Sequence, residues 1–572
     1  MMHDHSKFDS RNYLLFILLA AFILRLSGIG YGLPALYNSD EPFNVVNALS
    51  YGAKKSLEPS YFVYPSLYSY FLFAIFGLYF VAGKMLGVFV NAVDFGVSYF
   101  LNPTGLFFAG RLASVLLGVA TVWLVFKIGQ RFFSNKIGLF ASAILTFSFI
   151  HADLSHWILL EPAVGFLTAL ALYFIFRFSE DHTLKMNILA GFVSGLAIST
   201  KYNAGFIFVP LLISIILIYK KQISRLFLQV SLSISALLLG FFLGTPYWVL
   251  SFSKYWAEVK YTLTHVGVGM VGHLSSLPFV WPLWQLLYRD WSIGLLLVAG
   301  FIYVVFQREK KQLLLVSFVL ATVLFVGAWQ RTGVHYLLPI FPALAILAAI
   351  FCNDMIEQIP GKSYRVGVVV LLFIAPLLKI GLHDIRLTQQ DSRTFAQKWI
   401  EANISEGSVI GYENYVYGPN LFDPLRYFKN ASESVLLPVE IKERLLKERR
   451  LRTSYQLINL RKDFKLRNFT QSNPDSNFKN DAYIRQLLEM RLPKLATIKR
   501  AGIEYIITSS DNYERYFESR PPKRGTPLWL SYQNGRKFYQ SIINSEDLIL
   551  LKEFRATFWN AGPIIRVYKF KS

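Results

Sequence analysis

Apolar stretches of membrane-spanning length recur between residues 12 and 382, separated by short polar turns. About 20 apolar residues in a helix cross the ~30 Å hydrocarbon layer of a bilayer. No water is available there to satisfy backbone N–H and C=O groups, so such runs fold as helices or not at all. The candidate spans fall at roughly 12–30, 66–83, 106–131, 136–152, 158–177, 187–200, 203–219, 225–248, 291–307, 312–328, 333–352 and 363–382. Composition points the same way. Hydrophobic residues make up 54% of the chain and charged residues 16%, against about 25% charged in soluble proteins. A purely soluble, disordered or fibrous chain is excluded. The single cysteine, Cys352, excludes an intrachain disulfide framework and a multi-cysteine metal site.

The first run has a weakly basic flank (Lys7, Arg11), no small-x-small cleavage site, and Arg25 inside its distal end. It is expected to be a retained transmembrane helix and not a cleaved signal. Basic turns at Lys127/Arg131/Lys136, Lys220/Lys221/Arg225, Arg308/Lys310/Lys311 and Lys362/Arg365 are expected on the cytoplasmic side. The opposite face then carries residues 31–65, the turns near 151–158 and 200–203, the loop 249–290, the turn 329–335 and everything after 383. Twelve spans with a cytoplasmic start would return the C-terminus inside, so 85–101 is expected to supply a thirteenth despite Asp94.

Two regions follow: a transmembrane domain over 1–382, with outer loops 31–65 and 249–290, and an extracytoplasmic α/β domain over 383–572. The second holds 32 Lys and Arg against 21 Asp and Glu, half of the chain's +22. An amphipathic helix is expected near 392–402, strands at 408–412, 503–508 and 564–570, a basic helix over 441–452 and a loop over 465–482. The positive charge suits anionic partners such as lipid phosphates, although topology alone also makes membrane proteins basic. Nothing calls for nucleic acid.

The first outer loop carries Tyr37-Asn38-Ser39-Asp40-Glu41-Pro42. Paired carboxylates at a membrane surface suit acid/base work, one taking a proton while its neighbour orients the acceptor or a cation. The same residues also suit a helix start, with Ser39 or Asp40 as cap and Pro42 in the first turn. Other polar residues are expected at the same face: Tyr64 before the second span, Arg25, Arg111, the cluster His151/Asp153/His156/Glu161, Lys201, and Arg331/His335/Tyr336. Singly, each is read as an interfacial anchor. Together, carboxylates and cations at one interface suit a reaction that deprotonates one group and stabilises a departing phosphate. In the loop 249–290, the aromatic stretch around Tyr255, Trp256 and Tyr261 predicts an interfacial helix. The glycine-rich run from His265 to His273 reads as a mobile lid near substrate or as a flexible connector. It is not a phosphate-binding loop, because GxxxxGK[ST] is absent. Zinc-ligand spacing and a nucleophile elbow are absent too, and a divalent metal is possible but not indicated.

In order along residues 12–350, Arg25, Asp40-Glu41, Tyr64-Pro65, Arg111-Leu112, the basic turn Arg131 to Lys136, Glu161-Pro162, Gly195 to Lys201 and His335 to Pro339 resemble a known family. It is the polytopic C-type glycosyltransferases of the protein O-mannosyltransferase and aminoarabinose transferase superfamily, including bacterial relatives of the lipopolysaccharide-core type. The resemblance implies a mainly α, polytopic helix bundle of about 12–13 spans in the plasma membrane, with the N-terminus cytoplasmic. It implies a polyprenyl-phosphate-linked sugar donor and transfer with inversion at the outer face. The acceptor would be an envelope glycan, a lipid or, less in keeping, a protein hydroxyl. Asp40 would be the general base, and Glu41 would orient the acceptor or a cation. Lys201, Arg111 and His335 would neutralise the leaving phosphate. Arg25, Tyr64, Glu161, His273, Arg331 and Tyr336 would complete the substrate site. His156 stands where relatives often carry an arginine, which weakens a fixed phosphate contact there. The rival from another class is a transporter or flippase of lipid-linked saccharide, which should show repeated halves and polar residues at the midplane. No repeated half is visible.

Overall fold

The computed structural model describes residues 10–275, 277–413, 416–422, 439–448, 453–461 and 492–571. Its first part is helical throughout: α1 (Ser10–Leu26), α2 (Asp40–Lys54), α3 (Leu67–Met85), α4 (Ala92–Leu101), α5 (Thr104–Phe132), α6 (Asn135–Thr146), α7 (Phe149–Leu154), α8 (Leu160–Asp181) and α9 (Leu184–Ile198). It continues with α10 (Phe208–Tyr219), α11 (Ile223–Gly244), the single turn α12 (Tyr247–Leu250), α13 (Phe252–Val268), α14 (Trp281–Arg289), α15 (Trp291–Gln307), α16 (Lys310–Gly327), α17 (Phe341–Glu357) and α18 (Lys362–Thr388). Short 3-10 turns, Tyr202–Ile207 and Val334–Ile340, lead into α10 and α17. Among the described residues, eight helical segments are long and apolar enough to cross a membrane: α3, α5, α8, Tyr202–Tyr219, α11, α16, Val334–Glu357 and the segment opened by α18. α4, α9 and α15 are shorter apolar helices.

Besides the shorter α1, α9 and α15, two expected spans differ. The run 136–152 is broken, since α6 ends at Thr146 and α7 restarts at Phe149. The break has a tertiary cause. Ser148 Oγ caps the N–H of His151 and donates to Asp290 Oδ2 at 2.8 Å, so a contact from a distant loop replaces a helical turn. The expected thirteenth span is α4, which has ten residues. At 1.5 Å per residue it is about 15 Å long, half the hydrocarbon thickness.

Small residues set how closely the helices approach. On α9, a Cβ at Gly195 would lie 2.1 Å from the Leu237 carbonyl oxygen of α11, and one at Gly191 would lie 2.5 Å from that of Ser233. The sequence Gly191-Phe-Val-Ser-Gly195 is the small-xxx-small pattern that lets helix backbones touch without lipid between them. α17 is the central post. Its run from Phe341 to Ile350 is buried residue after residue, as expected of a helix apolar all round. α11 and α18 lie at the outside and expose Leu and Val side chains.

The bundle has two chemically distinct ends. At one, basic turns meet carboxylates: Lys136 with Glu357 (2.7 Å), Lys311 with Glu180 (3.1 Å) and Arg131 with Glu180 (3.7 Å). At the other, the long loops meet. Tyr202 donates to the Phe62 carbonyl (3.1 Å), Asn203 to the Tyr336 carbonyl (2.7 Å), and the Ser275 N–H to the Gln330 carbonyl (2.7 Å).

The C-terminal domain stands on this second end. It contains α19 (Ser392–Asn403), α20 (Val439–Glu448), α21 (Leu495–Arg500) and α22 (Pro527–Ile543). Its sheet is formed by β1 (Val409–Tyr412), β2 (Gln456–Asn459), β3 (Tyr505–Ser509), β4 (Leu548–Phe554) and β5 (Ile565–Phe570), in the order β2-β1-β3-β5-β4. β1 runs parallel to β2 and β3 with Ile410 beside Tyr505, whereas β5 is antiparallel to β3 and β4. β3 (YIITS) is buried at every position, as a central strand covered on both faces should be. The expected basic helix is α20, with residues 449–452 outside the described residues; the expected loop 465–482 also lies outside them. α18 runs without a break past residue 382, so the expected domain boundary falls inside a helix.

Candidate active site

The acidic loop opens α2 at Asp40, with Pro42 in the first turn. The cap is supplied by Asn38, whose Oδ1 accepts from the Asp40 N–H at 3.0 Å. Ser39, one of the two expected caps, makes no side-chain cap bond and instead donates to Asp40 Oδ1 at 3.3 Å. Asp40 is thereby fixed at a helix N-terminus, where the dipole favours a negative charge.

Asp40 opens into a cavity of about 490 Å³ bounded by the loops of this end. Four expected site residues line it together: Asp40, Tyr64, Glu161 and His335. Tyr37, Asn44, Asp153, Trp157 and, from the C-terminal domain, Tyr417 add to the polar and aromatic part of the wall. Trp157 and Tyr417 give no sequence signal beyond aromaticity, because they reach the cavity only through tertiary folding.

The Asp40 side chain is solvent-accessible through the cavity mouth, yet protein surrounds it on the other sides. This partial desolvation raises its pKa, and the nearby Glu161 carboxylate raises it further. The Ser39 bond, Arg331 and Lys201 pull it back down. The rise moves the carboxylate towards the range of a useful base. The Tyr64 phenol is pushed well above its ordinary pKa, mainly by burial and then by Asp40, so it acts only as a hydrogen-bonding group.

The two cations nearest this chemistry stand just behind the wall. Lys201 Nζ donates to Glu161 Oε1 at 2.6 Å and to the His335 carbonyl at 3.1 Å. It also lies 5.2 Å from the centre of the Tyr336 ring. The unwinding of the chain between α9 and α10 exposes the backbone that allows this crossing. Arg331 bonds His265 and reaches Met270 Sδ at 3.4 Å.

The glycine-rich run is neither a free lid nor a slack connector. Gly269 and Gly272, both at positive φ (82° and 89°), form a tight turn closed by the Met270–His273 bridge. The N–H of Arg331 donates to the Val266 carbonyl, and that of Thr332 to the His273 carbonyl, both at 3.0 Å. Burial and then Arg331 depress the His273 pKa to about 4, so this imidazole is neutral at pH 7. It is not among the residues lining the cavity.

Four residues expected to contact substrate lie in the interior instead. Glu41 and Arg111 are fully buried and face each other in a two-pronged ion pair: Arg111 Nε to Oε1 at 2.8 Å and Nη2 to Oε2 at 2.6 Å. Glu41 also accepts the Ile158 N–H at 2.9 Å. Arg111 Nη1 donates to the carbonyls of Ile29 (2.7 Å) and Tyr31 (2.8 Å), and its guanidinium packs 4.9 Å from the centre of Trp157. This pair fastens α2, the loop after α1 and the α7–α8 turn around the cavity. Arg25 donates to the carbonyls of Ala21 (3.1 Å) and Leu145 (3.0 Å), and bonds His151 Nδ1 at 2.8 Å. His156 bonds the Ser27 carbonyl (2.9 Å) and faces Asp384 (3.5 Å). In each case a buried polar side chain is already held by protein partners, as burial away from water requires.

Among the described residues, no three His, Cys, Asp or Glu side chains converge as a metal site requires.

Residues 104–250, from α5 to α12, match the family described as dolichyl-phosphate-mannose-protein mannosyltransferase. The fold is similar to that of the archaeal oligosaccharyltransferase AglB from Archaeoglobus fulgidus, solved with an inhibitory peptide and a dolichol-phosphate. That match has a TM-score of 0.52 and 11% identity over 92% of this chain and 72% of that one. ArnT from Cupriavidus metallidurans, bound to undecaprenyl phosphate, aligns over 97% of each chain at 13% identity with a TM-score of 0.47. No curated protein matches the chain by sequence. The chain has the C-type glycosyltransferase fold of multi-pass membrane proteins, and both the matched family and these solved structures are glycosyltransferases.

Proposed function

We propose that this protein is a membrane glycosyltransferase that moves a sugar from a polyprenyl-phosphate-linked donor to an acceptor hydroxyl at the outer face, inverting the anomeric carbon. The observation that carries this reading is a solvent-open carboxylate, Asp40, at the mouth of a cavity backed by two cations. The lipid-phosphate donor is suggested by the matched family's dolichyl phosphate and by the carriers bound to AglB and ArnT.

In this mechanism an acceptor hydroxyl binds against Asp40 and gives its proton to a carboxylate oxygen. The acceptor oxygen attacks the anomeric carbon and forms the new glycosidic bond. The bond from that carbon to the phosphate oxygen breaks, and the electron pair leaves with the phosphate. Arg331 and Lys201 oppose the charge that develops there. Glu161 holds the Lys201 ammonium in place, and Tyr64 donates a hydrogen bond to sugar or phosphate. Glu41 and Arg111 act at one remove, as positioning residues that fix the first turn of α2. The basic end of the bundle faces the cytoplasm and the cavity end the outside, in keeping with the charge bias of short loops. The acceptor is an envelope glycan or lipid.

A transporter would hold its substrate near the membrane midplane. The loop-lined position of this cavity, at one end of the bundle, favours transfer over transport. The test is transfer of labelled sugar from a panel of polyprenyl phosphate sugars by the purified full chain in lipid nanodiscs. Asp40→Asn should lower kcat by about 10²–10⁴-fold, the usual worth of a general base, with donor binding retained. Wild-type levels of transfer by Asp40→Asn would remove Asp40 from the chemistry. Movement of labelled lipid across vesicles without transfer would overturn the transferase reading.

A further inference from the structure

A second, larger cavity of about 870 Å³ lies between the loop after α1 and the C-terminal domain. Its size falls within the about 300–1,000 Å³ typical of ligand pockets. One wall is formed by residues 28–35, and the other by residues from 387 to 401 together with residues 420–422 and Thr453. It is separate from the Asp40 cavity but shares a wall one side chain thick. Tyr37 lines the first, Thr394 lines the second, and their hydroxyls bond each other at 2.9 Å.

The chemistry of this cleft is unlike that of the first. Beside Asp391, Lys398 and Glu401, its polar side chains are neutral: the four amides Gln389, Gln390, Gln397 and Asn420, and four hydroxyls. Gln397 uses one N–H on Glu401 (2.9 Å) and Gln389 uses one on Thr388 (3.2 Å). A primary amide carries two donors and a two-lone-pair acceptor, so each keeps capacity for a ligand. The Asp391 carboxylate is already taken by Tyr31 and by Arg393, whose Nη2 lies at 2.8 Å. Among the described lining residues Lys398 is the one cation, and its Nζ bonds Gln390 Oε1 at 3.1 Å. A phosphate or carboxylate ligand would call for converging cations, and a lipid tail would not call for amides. Amides that donate and accept, beside apolar faces such as Phe422 and Pro34, suit an uncharged polyhydroxylated ligand.

We propose that this cleft binds a neutral oligosaccharide, and that it holds the sugars of a glycan acceptor away from the reacting hydroxyl. The identity of the occupant as acceptor rests on the transferase reading; the affinity for neutral glycan does not. An acceptor spanning both cavities would pass over the Tyr37–Thr394 wall, with its reacting end at Asp40 and the remainder among the amides.

The test uses the full chain in nanodiscs and an array of short neutral oligosaccharides of mannose, glucose, galactose and N-acetylglucosamine, with sialylated and phosphorylated ones alongside. Two variants report on the cleft. Gly30→Trp places a ring where an added Cβ meets no protein atom within 4 Å, and Gln397→Leu removes one amide. The expected result is binding of at least one neutral glycan by the wild type and by Asp40→Asn, weakened roughly tenfold or more by each cleft variant. Transfer to a single-sugar acceptor should persist in both variants, which also shows that they fold. Binding of no neutral glycan, preference for the anionic ones, or unchanged binding in both cleft variants would overturn the inference. Neutral-glycan binding that depends on the cleft, in a protein that transfers no sugar, would keep the cleft and sink the transferase reading. Transfer to an oligosaccharide acceptor that needs Asp40 but is unchanged in both cleft variants would do the reverse.

Discussion

Replacing Glu41 by glutamine separates two ideas about the acidic pair. If Glu41 acts on the acceptor, the variant should fold normally and lose activity. The structure makes a different forecast. Glu41 accepts three hydrogen bonds, two from the Arg111 guanidinium and one from the Ile158 N–H, and neither ion is exposed. Removing one charge from such a pair leaves the other buried and unbalanced, at a cost of about 3–5 kcal/mol. A glutamine keeps one acceptor oxygen, so the lower half of that range applies to Glu41→Gln and the upper half to Glu41→Leu. The double variant Glu41→Leu/Arg111→Met removes both charges and should recover part of the loss. It should not recover all of it. The carbonyls of Ile29 and Tyr31 and the N–H of Ile158 then lose their partners, and each buried orphan costs about 1–3 kcal/mol. The assay is thermal unfolding of the purified protein in detergent, followed by tryptophan fluorescence, with donor binding and transfer measured on the same preparations. The expected order of melting is wild type, then Glu41→Gln, then Glu41→Leu, with activity lost in step with stability. A Glu41→Gln protein that melts with the wild type yet transfers no sugar would refute this reasoning and return Glu41 to the acceptor.

The field of Arg331 lowers the Asp40 pKa, so Arg331→Gln should move the acidic limb of the kcat/KM–pH profile to higher pH. It should also lower kcat by on the order of 10² through poorer stabilisation of the leaving phosphate. Glu161→Gln should move the same limb to lower pH, because the Glu161 carboxylate raises the Asp40 pKa; limbs that stay in place would detach Asp40 from the profile. Asp290 is fully buried, and its pKa is raised to about 6 by desolvation. The folded state therefore holds that proton when the unfolded chain has lost it, and stability falls as pH rises from about 4 through about 6, by on the order of 3 kcal/mol. Asp290→Asn should flatten that part of the melting curve against pH, and an unchanged slope would count against it. Gly195→Leu should abolish the folded bundle, since its Cβ would meet the Leu237 carbonyl oxygen at 2.1 Å; size-exclusion profiles and melting would show it.

Much of the bundle could be read in the sequence because apolar length is a one-dimensional signal. α5, α8, α11, α16 and α17 each overlap most of an expected run, with ends displaced by a few residues. The misreadings have tertiary causes. Ser148 breaks an apolar run because Asp290, far along the chain, offers it a partner. The expected thirteenth span was inferred from parity, and residues 85–91 instead lie outside α4. In the C-terminal domain, β1, β3 and β5 were visible as apolar β-branched runs, while β2 and β4 were not anticipated. β4 is an edge strand with exposed Ile549, Leu550 and Leu551, so it lacks the polar-apolar alternation that marks a half-buried strand. At the candidate site, the loops that would meet could be grouped from the basic turns. Which polar residues face the cavity could not. A buried Arg111 and a cavity-lining Glu161 look alike in one dimension, and only their partners tell them apart.

The continuity of α18 has a mechanical consequence. The helix leaves the bundle and reaches Thr388 in one piece, so the stalk beneath the C-terminal domain is a rigid rod and not a tether. Its weakest point is Pro376, which has no N–H to offer the Leu372 carbonyl and so gives up one rung of the helix. Helices bend at such positions. Any flexure of the C-terminal domain is thereby moved into the apolar length of α18, among lipid chains, where further loss of hydrogen bonds is costly. The stalk is hinged at the place where hinging is most heavily resisted.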